Sequence, residues 1–205
     1  MLIKNLFRII KDHKFFLIPI ILHELIYFLK GYKGFKFNFS NNNEMSDNIP
    51  CPYYFLIKIK KKLNEENFIK FIDLGCGSGR VIDFFHKNFE NKNFLGIEYF
   101  DKQYKFCKNN FINQKNIEII HSNFIKKDVF KYDSACYFLN APFKRSEDFL
   151  NFIQTMQNYH VKKNFLVITV NIDKETLDKI KNVKFIESFF IGNNKGYSIF
   201  SLSSN

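Results

Sequence analysis

The sequence predicts an α/β fold: a parallel-rich sheet of seven strands, with a helical extension at the N-terminus. Three observations carry this. From Phe68 onward, strand-like and helix-like segments alternate with short punctuation, the pattern of parallel strands connected by helices. Within it, Phe71-Ile72-Asp73-Leu74-Gly75-Cys76-Gly77-Ser78-Gly79-Arg80 closes an apolar strand with three alternate glycines and passes directly into a helical pattern from Val81. At the C-terminus, two strand-like segments flank Gly192-Asn193-Asn194-Lys195-Gly196, a hairpin signature that adds an antiparallel pair.

In chain order, Leu2, Ile3, Leu6, Phe7, Ile9 and Ile10 recur at helical spacing, with Lys4, Arg8 and Lys11 opposite. An apolar run from Phe15 to Leu22 contains Pro19 and resumes after His23-Glu24 as Leu25 to Leu29. A spanning helix needs about 20 predominantly apolar residues, and this stretch is broken and carries an acid. No small-residue cleavage site follows it, which argues against a signal peptide. It reads either as a cap folded onto the rest of the chain or as an interfacial membrane helix. After the polar stretch Asn38 to Asn48, Pro50 to Leu63 reads as a helix with Pro52 near its first turn. The organisation expected is therefore an extension over residues 1–48 and a main domain over 49–205.

In that domain, Phe68 to Leu74 is the first strand, and Gly79 to about Phe89 a helix burying Val81, Ile82, Phe84 and Phe85. Phe94 to Tyr99 is the second strand, Asp101 to Phe111 a helix, Ile117 to His121 the third strand and Ser134 to Leu139 the fourth. Ser146 to Tyr159 reads as helix, Asn164 to Val170 as the fifth strand, and Lys174 to Ile180 as a short helix. Val183 to Ile191 and Tyr197 to Leu202 complete the sheet.

Composition narrows the function. A chain of 205 residues with 46% hydrophobic content suits one domain with a full core. The net charge of +11 invites an anionic partner, but only Arg8, Arg80 and Arg145 are arginine, the residue phosphate recognition favours. The basicity therefore lends a nucleic-acid partner little support. Cys51, Cys76, Cys107 and Cys136 are dispersed, with no C-x-x-C pair, which fits a reducing cytoplasm. The five histidines show neither H-x-x-x-H nor H-E-x-x-H spacing, so no metal site is expected.

The glycine run carries the chemistry. Alternate glycines remove the Cβ atoms that would hold a flat ligand away, and the following helix N-terminus offers N–H groups. Dinucleotide sites use G-x-G-x-x-G, whereas here the third glycine comes one residue early, as D-x-G-x-G-x-G. The run D-L-G-C-G-S-G-R resembles motif I of the class I S-adenosylmethionine-dependent methyltransferases. That resemblance implies the strand order 3-2-1-4-5-7-6 with strand 7 antiparallel, and S-adenosylmethionine as cofactor. It also implies cofactor-binding roles for Asp73, Gly75, Cys76, Gly77 and Gly79. Glu98 lies at the second strand end, 19 residues beyond Gly79, where the family's acid accepts both ribose hydroxyls. Tyr99 is either an adenine contact or core. Asn123, in His121-Ser122-Asn123-Phe124, stands where the family commonly has an aspartate bonded to the adenine amino group. Asn123 keeps one acceptor oxygen, and Phe124 flanks the same pocket.

Asn140-Ala141-Pro142-Phe143, ending the fourth strand, resembles the Asn-Pro-Pro-Tyr/Phe loop of amino-group methyltransferases, with Ala141 replacing the first proline. The resemblance gives Asn140, Pro142 and Phe143 catalytic positions: the asparagine holds the target nitrogen and the aromatic stacks on the substrate. The match runs from about Pro50 to the C-terminus. It is similar to small bacterial methyltransferases with an I-P-x-P-Y-like segment, here Ile49-Pro50-Cys51-Pro52-Tyr53, and more distantly to membrane-anchored lysine methyltransferases. Tyr53 and Tyr54 either close over the donor methyl or pack in the core.

The function expected is methyl transfer to a nitrogen acceptor, either a protein amine such as lysine or a small molecule. It would be performed by a cytoplasmic monomer, with residues 1–30 either capping the domain or making peripheral membrane contact. The alternatives are a non-catalytic S-adenosylmethionine-binding protein and a nucleic-acid N-methyltransferase.

Overall fold

The computed structural model describes residues 17–32, 50–125, 127–132, 134–159, 165–191 and 195–202. The expected helix over Leu2 to Ile10, the polar loop from Asn38 to Asn48 and the Gly192–Asn194 turn lie outside them. Seven strands form one sheet in the order β3-β2-β1-β4-β5-β7-β6. They are β1 (Lys70–Leu74), β2 (Asn93–Glu98), β3 (Ile117–His121), β4 (Ala135–Asn140), β5 (Phe165–Val170), β6 (Val183–Ile191) and β7 (Lys195–Leu202). The first five pair in parallel, while β7 runs antiparallel to both β5 and β6. This is the order and the antiparallel strand that the motif resemblance implied.

Among the described residues, six helices accompany the sheet: α1 (Leu17–Leu29), α2 (Tyr53–Leu63), α3 (Arg80–His86), α4 (Asp101–Asn110), α5 (Ser146–Tyr159) and α6 (Lys174–Asp178), with a 3-10 turn over Lys127–Phe130. Helix α2 starts three residues later than the sequence suggested, because the residue before a proline is disfavoured in the helical region and Pro52 itself is extended, with ψ at 141°.

The central strands are predominantly apolar because both their faces are covered. Phe71, Cys136 and Phe138 face one layer, built with Phe55, Ile59, Phe84 and Phe85 of α2 and α3. Their alternates Ile72, Tyr137 and Leu139 face a second layer, built with Phe149, Phe152, Ile153 and Met156 of α5. Helix α1 packs on the first layer, where the Tyr27 ring stacks on Tyr53 at a centroid distance of 4.7 Å.

The register brings the C-terminal ends of β1, β2 and β4 to one level, with Asp73 beside Gly96 on one side and Phe138 on the other. The strand order reverses between β1 and β4, so a crevice opens beyond their carboxyl ends.

Candidate active site

The crevice is lined by Pro50, Cys51, Asp73, Gly75, Arg80 and Asn140, among others. Its floor is the loop leaving β1. Gly75, Gly77 and Gly79 have φ of 84°, 53° and 81°, a left-handed backbone that costs other residues roughly 1–2 kcal/mol each. The loop is fastened to β2 by the Gly75 and Cys76 N–H groups, which donate to the Ile97 carbonyl at 2.9 and 3.0 Å. At Gly75 the space a Cβ would occupy is open, with only the Phe124 ring at 4.0 Å. Gly79 is packed instead: a Cβ there would meet Phe111 at 2.5 Å and the Cys107 sulfur at 2.7 Å. Of these two, Gly75 is the one that leaves room for a ligand.

Two buried acids flank the loop. Glu98 accepts the Gly77 N–H at 2.8 Å on one carboxylate oxygen and the Phe100 N–H at 2.7 Å on the other. Burial raises its pKa, against the opposing N–H bonds from Phe100, Gly77 and Tyr99. Asp73 is 3% exposed, and its Oδ2 has no hydrogen-bond partner. Burial, then the nearby Glu98 charge, pushes its pKa up to about 8. A buried oxygen without a partner at the mouth of a cleft is costly unless a ligand's donor reaches it.

At the end of β4, the Asn140 amide oxygen accepts a hydrogen bond from the Asn171 side chain at 3.0 Å. The backbone around this contact is strained: Ala141 has φ of 41° and Asn171 of 59°. Such conformations cost about 1–3 kcal/mol each and persist where surrounding structure holds them. Here the Ala141 N–H is tied to the Val170 carbonyl and the Asn171 N–H to Gly196, at 2.9 and 2.8 Å. Pro142 follows, half-buried, and the Phe143 ring packs on Phe124 and Phe152 at 5.7 and 5.4 Å.

The remaining sequence-predicted positions fall around these groups. Cys76 is buried, its thiol 3.9 Å from that of Cys107, and it contributes to the site through backbone. Tyr99 is 47% exposed beside Glu98. The Asn123 side-chain oxygen accepts the Ile125 N–H at 3.0 Å, closing a turn, while Phe124 is buried under Gly75. Tyr53 and Tyr54 both pack: Tyr53 between Tyr27 and the Arg80 guanidinium, Tyr54 against His23 and Phe189.

Two contributions were not anticipated from sequence. Glu24 of α1 bridges the Tyr53 N–H at 2.8 Å and the Arg80 guanidinium, joining the extension to the residue after the third glycine. Asn171 orients Asn140. An acid inside an apolar run is a readable signal that Glu24 needs a buried partner, but nothing in the spacing points to Arg80.

No protein-family model matches the sequence, and no curated protein matches it. Many solved structures share its fold at low identity. A candidate caffeoyl-CoA O-methyltransferase from Staphylococcus aureus superposes with a TM-score of 0.58 at 15% identity, covering 89% of this chain and 91% of that one. The human methyltransferase 10 domain containing protein gives 0.56 at 15% identity, covering 78% and 90%. The candidate methyltransferase yhhF from Escherichia coli gives 0.54 at 12%, covering 77% and 89%. The chain has the Rossmann-like fold of the class I methyltransferases.

Proposed function

We propose that this protein is an S-adenosylmethionine-dependent methyltransferase acting on a nitrogen acceptor, a protein amine or a small molecule. The observation that carries the reading is the convergence of the open Gly75 cradle, the unpartnered Asp73 oxygen and the held Asn140 amide on one crevice.

The residues fit the cofactor's chemistry. Asp73 offers an acceptor to an ammonium group. Glu98 spends acceptor sites on the Gly77, Phe100 and Tyr99 N–H groups, and a carboxylate's four lone-pair sites leave it one for a ribose hydroxyl. Tyr99, Asn123 and Phe124 border the place an adenine would take, as the motif resemblance implies. Bound there, the sulfonium supplies a methyl group whose leaving group is already activated by positive charge. The protein's task is then alignment and exclusion of water rather than supply of a strong nucleophile. Asn140 suits the acceptor side: its amide oxygen accepts an N–H from the target nitrogen, turning the lone pair toward the methyl, and stabilises the charge that nitrogen gains. Asn171 fixes that amide before substrate arrives. Phe143, braced on Phe124 and Phe152, forms an apolar wall beside it.

Calorimetric titration with S-adenosylmethionine, with NADH as control, tests the cofactor. Micromolar binding lost in Gly77→Val and in Glu98→Ala is expected, and no binding by folded protein overturns the reading. Transfer of labelled methyl to amine acceptors then tests the reaction.

A further inference from the structure

We propose that α1 seats this protein on an anionic lipid surface, through an apolar face that its own polar contacts turn outward. Its rotational setting is locked from the inside. Ile20 is buried, Glu24 reaches Arg80 and the Tyr53 N–H, and Tyr27 stacks on Tyr53. These three positions lie four and three residues apart, so they share one stripe of the helix.

The opposite stripe is apolar. Ile18, Leu22, Leu25, Phe28 and Leu29 are each more than half exposed, Leu29 at 75%. A helix on the surface of a globular protein normally buries its apolar stripe and shows water its charges. Here the one acid of the helix faces in, and Leu22, Leu25 and Leu29 face out. A contiguous exposed apolar patch of this kind marks an interaction site.

Charge and length select the partner. Residues 1–36 carry seven basic residues, among them Lys4, Arg8, Lys11 and Lys14 before the helix and Lys30 and Lys33 after it. The acids there are Asp12 and Glu24, and Glu24 is committed to Arg80. An apolar face on a helix whose flanking sequence is basic at both ends complements the acyl boundary and headgroups of an anionic membrane. The 13 described residues of the helix span about 20 Å, and no described helix is long and apolar enough to cross a membrane. It lies along the surface. The proposal does not depend on the reaction catalysed.

The test is flotation of the full chain with vesicles of phosphatidylglycerol and phosphatidylcholine, against phosphatidylcholine alone. Binding to the mixed vesicles should be at least about tenfold tighter than to neutral ones and should weaken with salt. The triple variant Leu22→Asn, Leu25→Asn, Leu29→Asn should lose at least about tenfold more, with its melting temperature retained because all three side chains are exposed. Folded wild-type protein that shows no preference for anionic vesicles overturns the proposal. So does a triple variant that binds as wild type does. A concentration-dependent dimer in sedimentation velocity that the triple variant abolishes would assign the face to a second copy and overturn it equally.

Discussion

Replacing Asp73 by asparagine should make the ligand-free protein more stable at pH 8, and the gain should vanish toward pH 4. Asp73 is buried at 3% exposure with one carboxyl oxygen unsatisfied, and its pKa rises from an ordinary 3.8 to about 8. The folded state therefore holds this proton over a range in which the unfolded chain has released it. Where the native state binds more protons than the unfolded one, stability falls as pH rises. The loss begins near pH 4, proceeds at about 1.4 kcal/mol per pH unit and ends near pH 8, for a total on the order of 6 kcal/mol. Asparagine is close in size and cannot ionise, so the variant lacks this contribution while retaining that of Glu98. Urea unfolding of both proteins at pH 5, 6, 7 and 8 measures the difference directly. A difference independent of pH would refute the reasoning, since it would mean that Asp73 is ionised in the fold throughout. The same variant should bind S-adenosylmethionine more weakly, because the oxygen left without a partner in the empty fold is the one a ligand's ammonium group would use.

Other substitutions probe the site at separate points. Asn140→Ala should abolish methyl transfer and leave S-adenosylmethionine affinity within about twofold, as read by calorimetry; retained turnover would remove Asn140 from the acceptor site. Gly79→Ala should cost about 2–4 kcal/mol in urea unfolding, from left-handed backbone and from the contacts of 2.5 and 2.7 Å that a Cβ makes with Phe111 and Cys107. Ala141→Gly should stabilise by about 0.5–1 kcal/mol, since glycine adopts φ of 41° without penalty, and a lower melting temperature would contradict the strain assigned there.

The sheet was legible because its central strands are buried on both faces and so appear as short apolar runs between turn residues. β3, α5 and β6 fall at their expected limits. The strand order followed from the motif resemblance and not from the runs themselves, which carry no information about neighbours. Within the site, Gly75 and Glu98 were readable because their relation is one of fixed spacing across a single β-loop-α-β unit. The Glu24–Arg80 and Asn140–Asn171 pairs were not. Each joins residues 56 or 31 positions apart whose meeting depends on how whole elements pack, and periodicity within an element is silent on that. Ala141 and Asn171 likewise read as ordinary strand-end residues, since neither is the glycine that a left-handed backbone usually announces.

The Glu24 bridge bears on how the chain can be divided. Motif resemblance begins near Pro50, which makes a protein shortened to residues 50–205 an obvious reagent. Yet Arg80, 4% exposed, draws its counter-charge from the removed part. Stripping one partner from a buried ion pair typically costs about 3–5 kcal/mol. Part of the electrostatic foundation of the glycine loop is thus inherited from outside the segment that carries its signature. A shortened chain that also bears Arg80→Met should recover much of the lost stability, whereas one that keeps the arginine should not.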